Sequence, residues 1–161
     1  MEIDILPKTA RAQIHMVFIV VPRFNIATLI TMIETIRIAN YLAPTSIFSW
    51  EVASFDGSKI IASNGMTATI KTANDNLKPA EFVFILGSWG TEHYHNQQLT
   101  AWLRKRARAG ERICGVELGS YIVARAGLLD GKLATIHWSW LNGFKENFDR
   151  VEVEELSLIH I

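Results

Sequence analysis

The segment Cys114-Gly115-Val116-Glu117-Leu118-Gly119-Ser120 concentrates the most potential chemistry in the chain. A strand-forming run passes through one residue into a helix-forming run, which is the layout of a nucleophile elbow. In an elbow the central side chain is held exposed in a strained turn, with backbone N–H groups nearby for an oxyanion. Enzymes place Ser or Cys there; this chain places Glu117. A carboxylate can act as a nucleophile, but it needs a partner acid or base, and the local sequence supplies none. Cys114 falls inside the strand-forming run, where a small buried thiol is expected rather than a reactive one. His93 and His95, with Glu92 beside them, could suggest a metal, but the spacing is loop-like and no third ligand is placed, so exposed loop histidines and no metal site are expected. Arg104, Lys105, Arg106 and Arg108 crowd the end of a helical pattern. They read as a solvated face favoured by the helix dipole rather than as a DNA patch.

The elements that must position these residues alternate. Ile14 to Val21 is a nearly continuous apolar, β-branched run, the pattern of a strand covered on both faces, and Pro22 ends it. Ile26 to Leu42 has mostly helical apolar spacing, with Asn25 as N-cap and Pro44 beyond the end. Trp50 to Phe55 reads as a strand, and Lys59 to Ile70, broken by Ser63-Asn64-Gly65, as a hairpin. Phe82 to Leu86 is a buried strand entering the turn Gly87-Ser88-Trp89-Gly90. Gln97 to Ala109 is a helix closed by Gly110, Arg112 to Val116 a strand, and Leu118 to Ala126 a helix. Leu133 to Ile136, Ser139 to Phe148 and Val151 to Val153 follow as strand, helix and strand. This order predicts an α/β fold with a doubly wound, mostly parallel sheet and helices on both faces, its ligands at the carboxyl ends of the strands. Trp50, Trp102, Trp140, Phe144 and Phe148 read as core.

The 161 residues suffice for one domain, and 16 Lys plus Arg balance 16 Asp plus Glu. Such neutrality argues against a chain that itself binds nucleic acid or an anionic membrane. A single cysteine excludes a disulfide framework, and no apolar run reaches the ~18 residues of a membrane span, so the cytoplasm is the expected compartment. Residues 1–13 read as a leader without signal-peptide character. The last six residues, Leu156 to Ile161, are what CTGTCTCTTATACACATC encodes, a string resembling the transposase adapter of sequencing libraries. Residues 156–161 are accordingly expected to be a non-native tail, although a short C-terminal strand is the alternative.

Gly115 to Trp138 resembles the PfpI-type, class I glutamine amidotransferase-like domain that opens GlxA-type AraC/XylS transcriptional regulators. Ala126-Gly127-Leu128-Leu129-Asp130-Gly131 followed by His137-Trp138 carries the resemblance, as do Glu34, Arg37, Ala39 and Asn40 upstream. It implies a flavodoxin-like sensing domain over residues 14–155 that continues past this point with a further strand and helix, leaving an exposed sheet edge here. It also implies a helix-turn-helix DNA-binding domain beyond this chain and a homodimer. In enzymes of the superfamily a cysteine stands at Glu117, and hydratase-like members place an acid at Thr28. Both positions are altered, so no catalytic residue and no cofactor are expected. The alternative is an enzyme of the same superfamily, a hydrolase, isonitrile hydratase or glyoxalase-like protein, working through Glu117 or Cys114. A folding or stress-protective homologue is a third reading, for which the residues offer nothing positive.

The resemblance is greatest to regulators of the catabolism of glycine betaine, carnitine and arginine, which implies a small cationic or zwitterionic inducer. The candidate ligand-binding residues are Glu117, Leu118, Gly87, Ser88, Trp89, His137, Trp138, Phe24 and Thr28, with Tyr94 as an alternative aromatic. A quaternary ammonium would be held by aromatic faces and the Glu117 charge; a guanidinium would pair with Glu117 bidentately. The ligand's own carboxylate could meet N–H groups of Gly87 to Gly90 or of Leu118-Gly119. His137 either lines the pocket or fixes its turn, and Glu117 either meets ligand or accepts backbone N–H bonds.

Overall fold

The computed structural model describes residues 13–73 and 76–154, so the residue 1–12 part of the leader and the 156–161 tail lie outside the described residues. Ile14–Val20 forms β1, at the centre of the sheet. Its side chains alternate between two faces, as the pleat requires. Asn25 caps α1 (Ile26–Leu42): its Oδ1 accepts from the N–H groups of Ala27 and Thr28 at 3.1 and 3.4 Å. The next strand, β2 (Phe48–Ser54), starts two residues ahead of the expected Trp50. The Asn40 side chain sets that start by accepting from Ile47 and Phe48 N–H and donating to the Phe48 carbonyl.

The expected hairpin is β3 (Lys59–Ile61) paired antiparallel with β4 (Thr67–Thr69). Directly after it, β5 (Lys71–Thr72) joins β2 in parallel, an edge too short to show any periodicity in sequence. Then come β6 (Phe82–Gly87), α2 (Gln97–Arg108), β7 (Arg112–Glu117) and α3 (Gly119–Arg125). The five-stranded sheet is wholly parallel in the order β5-β2-β1-β6-β7. Its β2-β1-β6-β7 part is the doubly wound order, with the switch point between β1 and β6.

Val17, Ile19, Val83 and Ile85 pack on one face against Leu99, Trp102 and Leu103 of α2 and Ile122 and Val123 of α3. Phe18, Val20 and Leu86 pack on the other against Phe24, Leu29 of α1 and Ile60 of the hairpin. Both faces of the sheet are therefore covered, as the continuous apolar strands require.

The last part differs from the reading. β8 (Leu133–Thr135) and β9 (Glu152–Glu154) pair in parallel with each other, not with the main sheet. The expected helix from Ser139 is a 3-10 turn, Trp138–Trp140, followed by α4 (Leu141–Asn147). This layer is held by the wholly buried Phe144 and by Tyr121, whose rings meet edge to face at 4.9 Å. Among the described residues no helix is long and apolar enough to cross a membrane.

Candidate functional site

Glu117 ends β7 with φ of 50°, a left-handed conformation that costs a non-glycine residue roughly 1–2 kcal/mol. Three glycines enforce the passage. A Cβ on Gly119 would stand 1.9 Å from the Ile85 carbonyl oxygen; on Gly115, 2.6 Å from Ser120 N; on Gly87, 2.6 Å from Thr91 Oγ1. The start of α3 is thus pressed against β6, and the strand can leave the sheet only by lifting Glu117 above its edge. Gly87 is the register partner of Glu117 on β6, so the Gly87-Ser88-Trp89-Gly90 turn departs beside the carboxylate.

The exposed Glu117 carboxylate is held, not loose. Its Oε1 accepts from Thr28 Oγ1 at 2.5 Å and from Asn25 Nδ2 at 2.9 Å. Oε2 makes no hydrogen bond among the described residues. The structure therefore brings Glu117 and Thr28 together, and adds Asn25, which the sequence had shown only as a cap. One amide does both: its oxygen closes the first turn of α1 and its nitrogen reaches the elbow. Glu117 accepts from these two side chains rather than from backbone N–H groups.

Other expected members sit differently. Phe24 is wholly buried in the core under α1 and offers no accessible face to a ligand, because its ring fills the space between the sheet and the hairpin. Leu118 is buried against α4, and Ser88 is also buried. Tyr94 donates its hydroxyl to Asp56 Oδ2 at 2.8 Å and packs on the core. Burial, with that bond, pushes its phenol well above its ordinary pKa. Trp89 and Trp138 are 69% and 74% exposed, so both rings remain open. His137 caps its own turn through Ser139 and leans on Trp138 at 5.3 Å. No hydrogen bond or ring contact among the described residues ties that pair to Glu117, Thr28 or Trp89.

The turn after β6 is fastened from outside the predicted set. Arg125 donates to the Tyr94 carbonyl at 2.6 Å and the Glu92 carbonyl at 2.5 Å, while the Glu92 carboxylate takes the Gly90 N–H at 2.9 Å. That last bond removes one of the donors expected to serve a ligand carboxylate. His93 is exposed, and among the described residues no three His, Cys, Asp or Glu are grouped to hold a metal. A cavity of about 270 Å³ lies at the far end of α3, between Arg104, Arg125 and Arg150, and none of the expected site residues lines it.

Cys114 lies half-buried on β7, and burial, partly offset by Arg112, pushes its thiol above the ordinary range. Because the thiolate is the reactive form, alkylation by iodoacetamide at pH 7 should be slower than for free cysteine, and should rise only as pH passes the normal thiol range. Alkylation at the rate of an activated thiol at neutral pH would contradict this.

A parallel sheet ordered in this way, with a left-handed acidic residue lifted at a strand-to-helix elbow, defines a flavodoxin-like domain of the class I glutamine amidotransferase-like type. The chain belongs to the DJ-1/PfpI family, whose profile matches residues 23–155. The HTH-type transcriptional regulator CdhR of Pseudomonas aeruginosa is 33% identical over 138 residues, covering 86% of this chain and 41% of that protein. GbdR, an HTH-type regulator of the same species, is 33% identical over 134 residues, covering 83% of this chain and 36% of that protein. The chain thus spans well under half the length of these curated relatives. A crystal structure of an AraC family transcriptional regulator from Pseudomonas putida superposes with a TM-score of 0.81 at 22% identity, covering 91% of this chain and 79% of that one. It bears on the fold alone. The expected family and the doubly wound fold hold.

Proposed function

We propose that this domain is the effector-sensing part of an AraC-type transcriptional regulator. In this reading Glu117 receives the cationic group of a small cationic or zwitterionic metabolite of the betaine, carnitine or arginine type, and the regulator controls that metabolite's catabolism. The carrying observation is the Glu117 carboxylate, raised at the elbow where the family's nucleophile stands and anchored through one oxygen by Thr28 and Asn25. Thr28 can donate to a carboxylate but cannot serve as an acid–base partner, which supports a binding site over an enzyme. The regulator relatives and their greater length support a helix-turn-helix segment outside this chain as the part that reads DNA.

Ligand binding would act by population shift in a homodimer, favouring one arrangement of the DNA-reading halves. The test is calorimetric titration and thermal melting with glycine betaine, carnitine and arginine. At least one should bind, and Glu117→Gln should weaken it roughly 10- to 100-fold, the loss of a charge-assisted contact worth about 1.5–3 kcal/mol. No heat and no melting shift with any of the three would sink the reading.

A further inference from the structure

Among the described residues, two non-glycine residues have positive φ: Arg23 at 65° and Glu117 at 50°. One is a cation and the other an anion, and both stand at the carboxyl edge of the sheet. Asn25, two residues after Arg23, hydrogen-bonds to Glu117, and two residues span at most about 7 Å. A left-handed arginine is a strained choice where glycine would be relaxed, and such strain gathers at ligand sites.

The strain is held from both sides. Arg23 N–H donates to the Ile61 carbonyl at 2.8 Å and Phe24 N–H to the Val21 carbonyl at 3.1 Å, while Ser63 N–H donates to the Phe24 carbonyl at 3.0 Å. The wholly buried Phe24 ring anchors the next position. The guanidinium reaches the turn after β6: a Cβ on Gly90 would lie 3.9 Å from Arg23 Nη1. Among the described residues Arg23 has no carboxylate within ion-pair distance and makes no side-chain hydrogen bond. Meanwhile the Gly90 N–H in that turn is already occupied by Glu92. An exposed arginine with no partner among the described residues, reaching the turn that carries the open Trp89 and close in sequence to the residue that anchors Glu117, is placed to take an anion from solution.

We infer that Arg23 is the carboxylate-recognising residue of this site. Resting on the proposed ligand-sensing role, the sensed metabolite is then a zwitterion, its cationic group on Glu117 and its carboxylate on Arg23, and carboxylate-free cations are discriminated against. The experiment is calorimetry on the full chain with two pairs of probes, glycine betaine against choline and L-arginine against agmatine. Parent, Arg23→Gln and Arg23→Gly proteins are compared. The parent should bind at least one zwitterion ten-fold or more tightly than its carboxylate-free counterpart. Both variants should lose that preference by weakening the zwitterion ten-fold or more, with the counterpart changed less than two-fold. Arg23→Gly should do so while melting no lower than the parent, since glycine relaxes the turn, and this separates ligand recognition from a structural role. A zwitterion bound equally well by all three proteins, or weakened in step with its counterpart, overturns the inference and leaves the sensing role standing. Failure of the parent to bind any of the four probes overturns both.

Discussion

Gly119→Ala is expected to destabilise the domain by about 3 kcal/mol or more, lowering its melting temperature by roughly 6–12 °C, because the added methyl would stand 1.9 Å from the Ile85 carbonyl oxygen. No rotamer relieves that contact, since the atom is backbone in a central parallel strand. Either α3 must lift from β6 or the pairing of β6 with β7 must yield. Gly143→Ala is the matched control. Its Cβ would meet only Tyr121 Oη at 3.5 Å, an ordinary contact, and Gly143 lies within α4. That change should be neutral or stabilise by up to about 1 kcal/mol through the lower entropy of the unfolded chain. Thermal melts of the two variants decide the matter, and a Gly119→Ala protein melting within 2 °C of the parent would show that the elbow is not pinned by this approach. The same approach lifts Glu117 clear of the sheet, so the stability loss should be accompanied by loss of ligand response.

The elbow itself was legible because its signal is local. A short strand-forming run, one acidic residue and a glycine-bearing helix start mark a strand-to-helix passage, and the left-handed turn falls at its single linking residue, Glu117. Pairing of Glu117 with Thr28 joins positions 89 residues apart; the family pattern pointed to both positions, whereas composition and spacing alone did not. Asn25 was hidden for a different reason. Its capping role explained its presence completely, so nothing in sequence signalled that the spare nitrogen had a second partner. Phe24 was misjudged because an aromatic beside a strand-ending proline fits a pocket wall and a core plug equally well. Tertiary packing among the sheet, Leu29 of α1, and Ile60 and Ala62 of the hairpin makes it core. The pairing of β8 with β9 away from the main sheet is likewise a tertiary choice. Strands of three residues have too little pattern to say which neighbour they join.

The basic run at the end of α2 shows the same limit and carries the second large expectation. Arg104, Lys105 and Arg108 are exposed as expected, but Arg106 is buried. It follows Leu99, Trp102 and Leu103 on the apolar stripe of the helix, a spacing that marks position 106 as inward whatever residue fills it. There its guanidinium lies 4.8 Å over the Trp102 ring and donates to the Leu77 and Lys78 carbonyls. Its Nε sits 2.7 Å from Glu111 Oε2, with the two side chains 10% and 8% exposed. The alignment is poor for a hydrogen bond, so this contact is chiefly one of charge.

Glu111→Ala would leave the cation buried without a counter-charge among the described residues, a change that costs about 3–5 kcal/mol in comparable settings. Urea unfolding should show a loss in that range. Arg106→Met with Glu111→Leu should recover part of it, because removing both charges ends the electrostatic imbalance while the Leu77 and Lys78 carbonyls still lack donors. A loss below about 1 kcal/mol for Glu111→Ala would mean that water reaches the guanidinium, and that the two carbonyls and the Trp102 ring suffice to hold it. Because these carbonyls belong to the segment leading into β6, the pair ties the end of α2 to the strand that carries the Gly87 turn, and its rupture should loosen that turn.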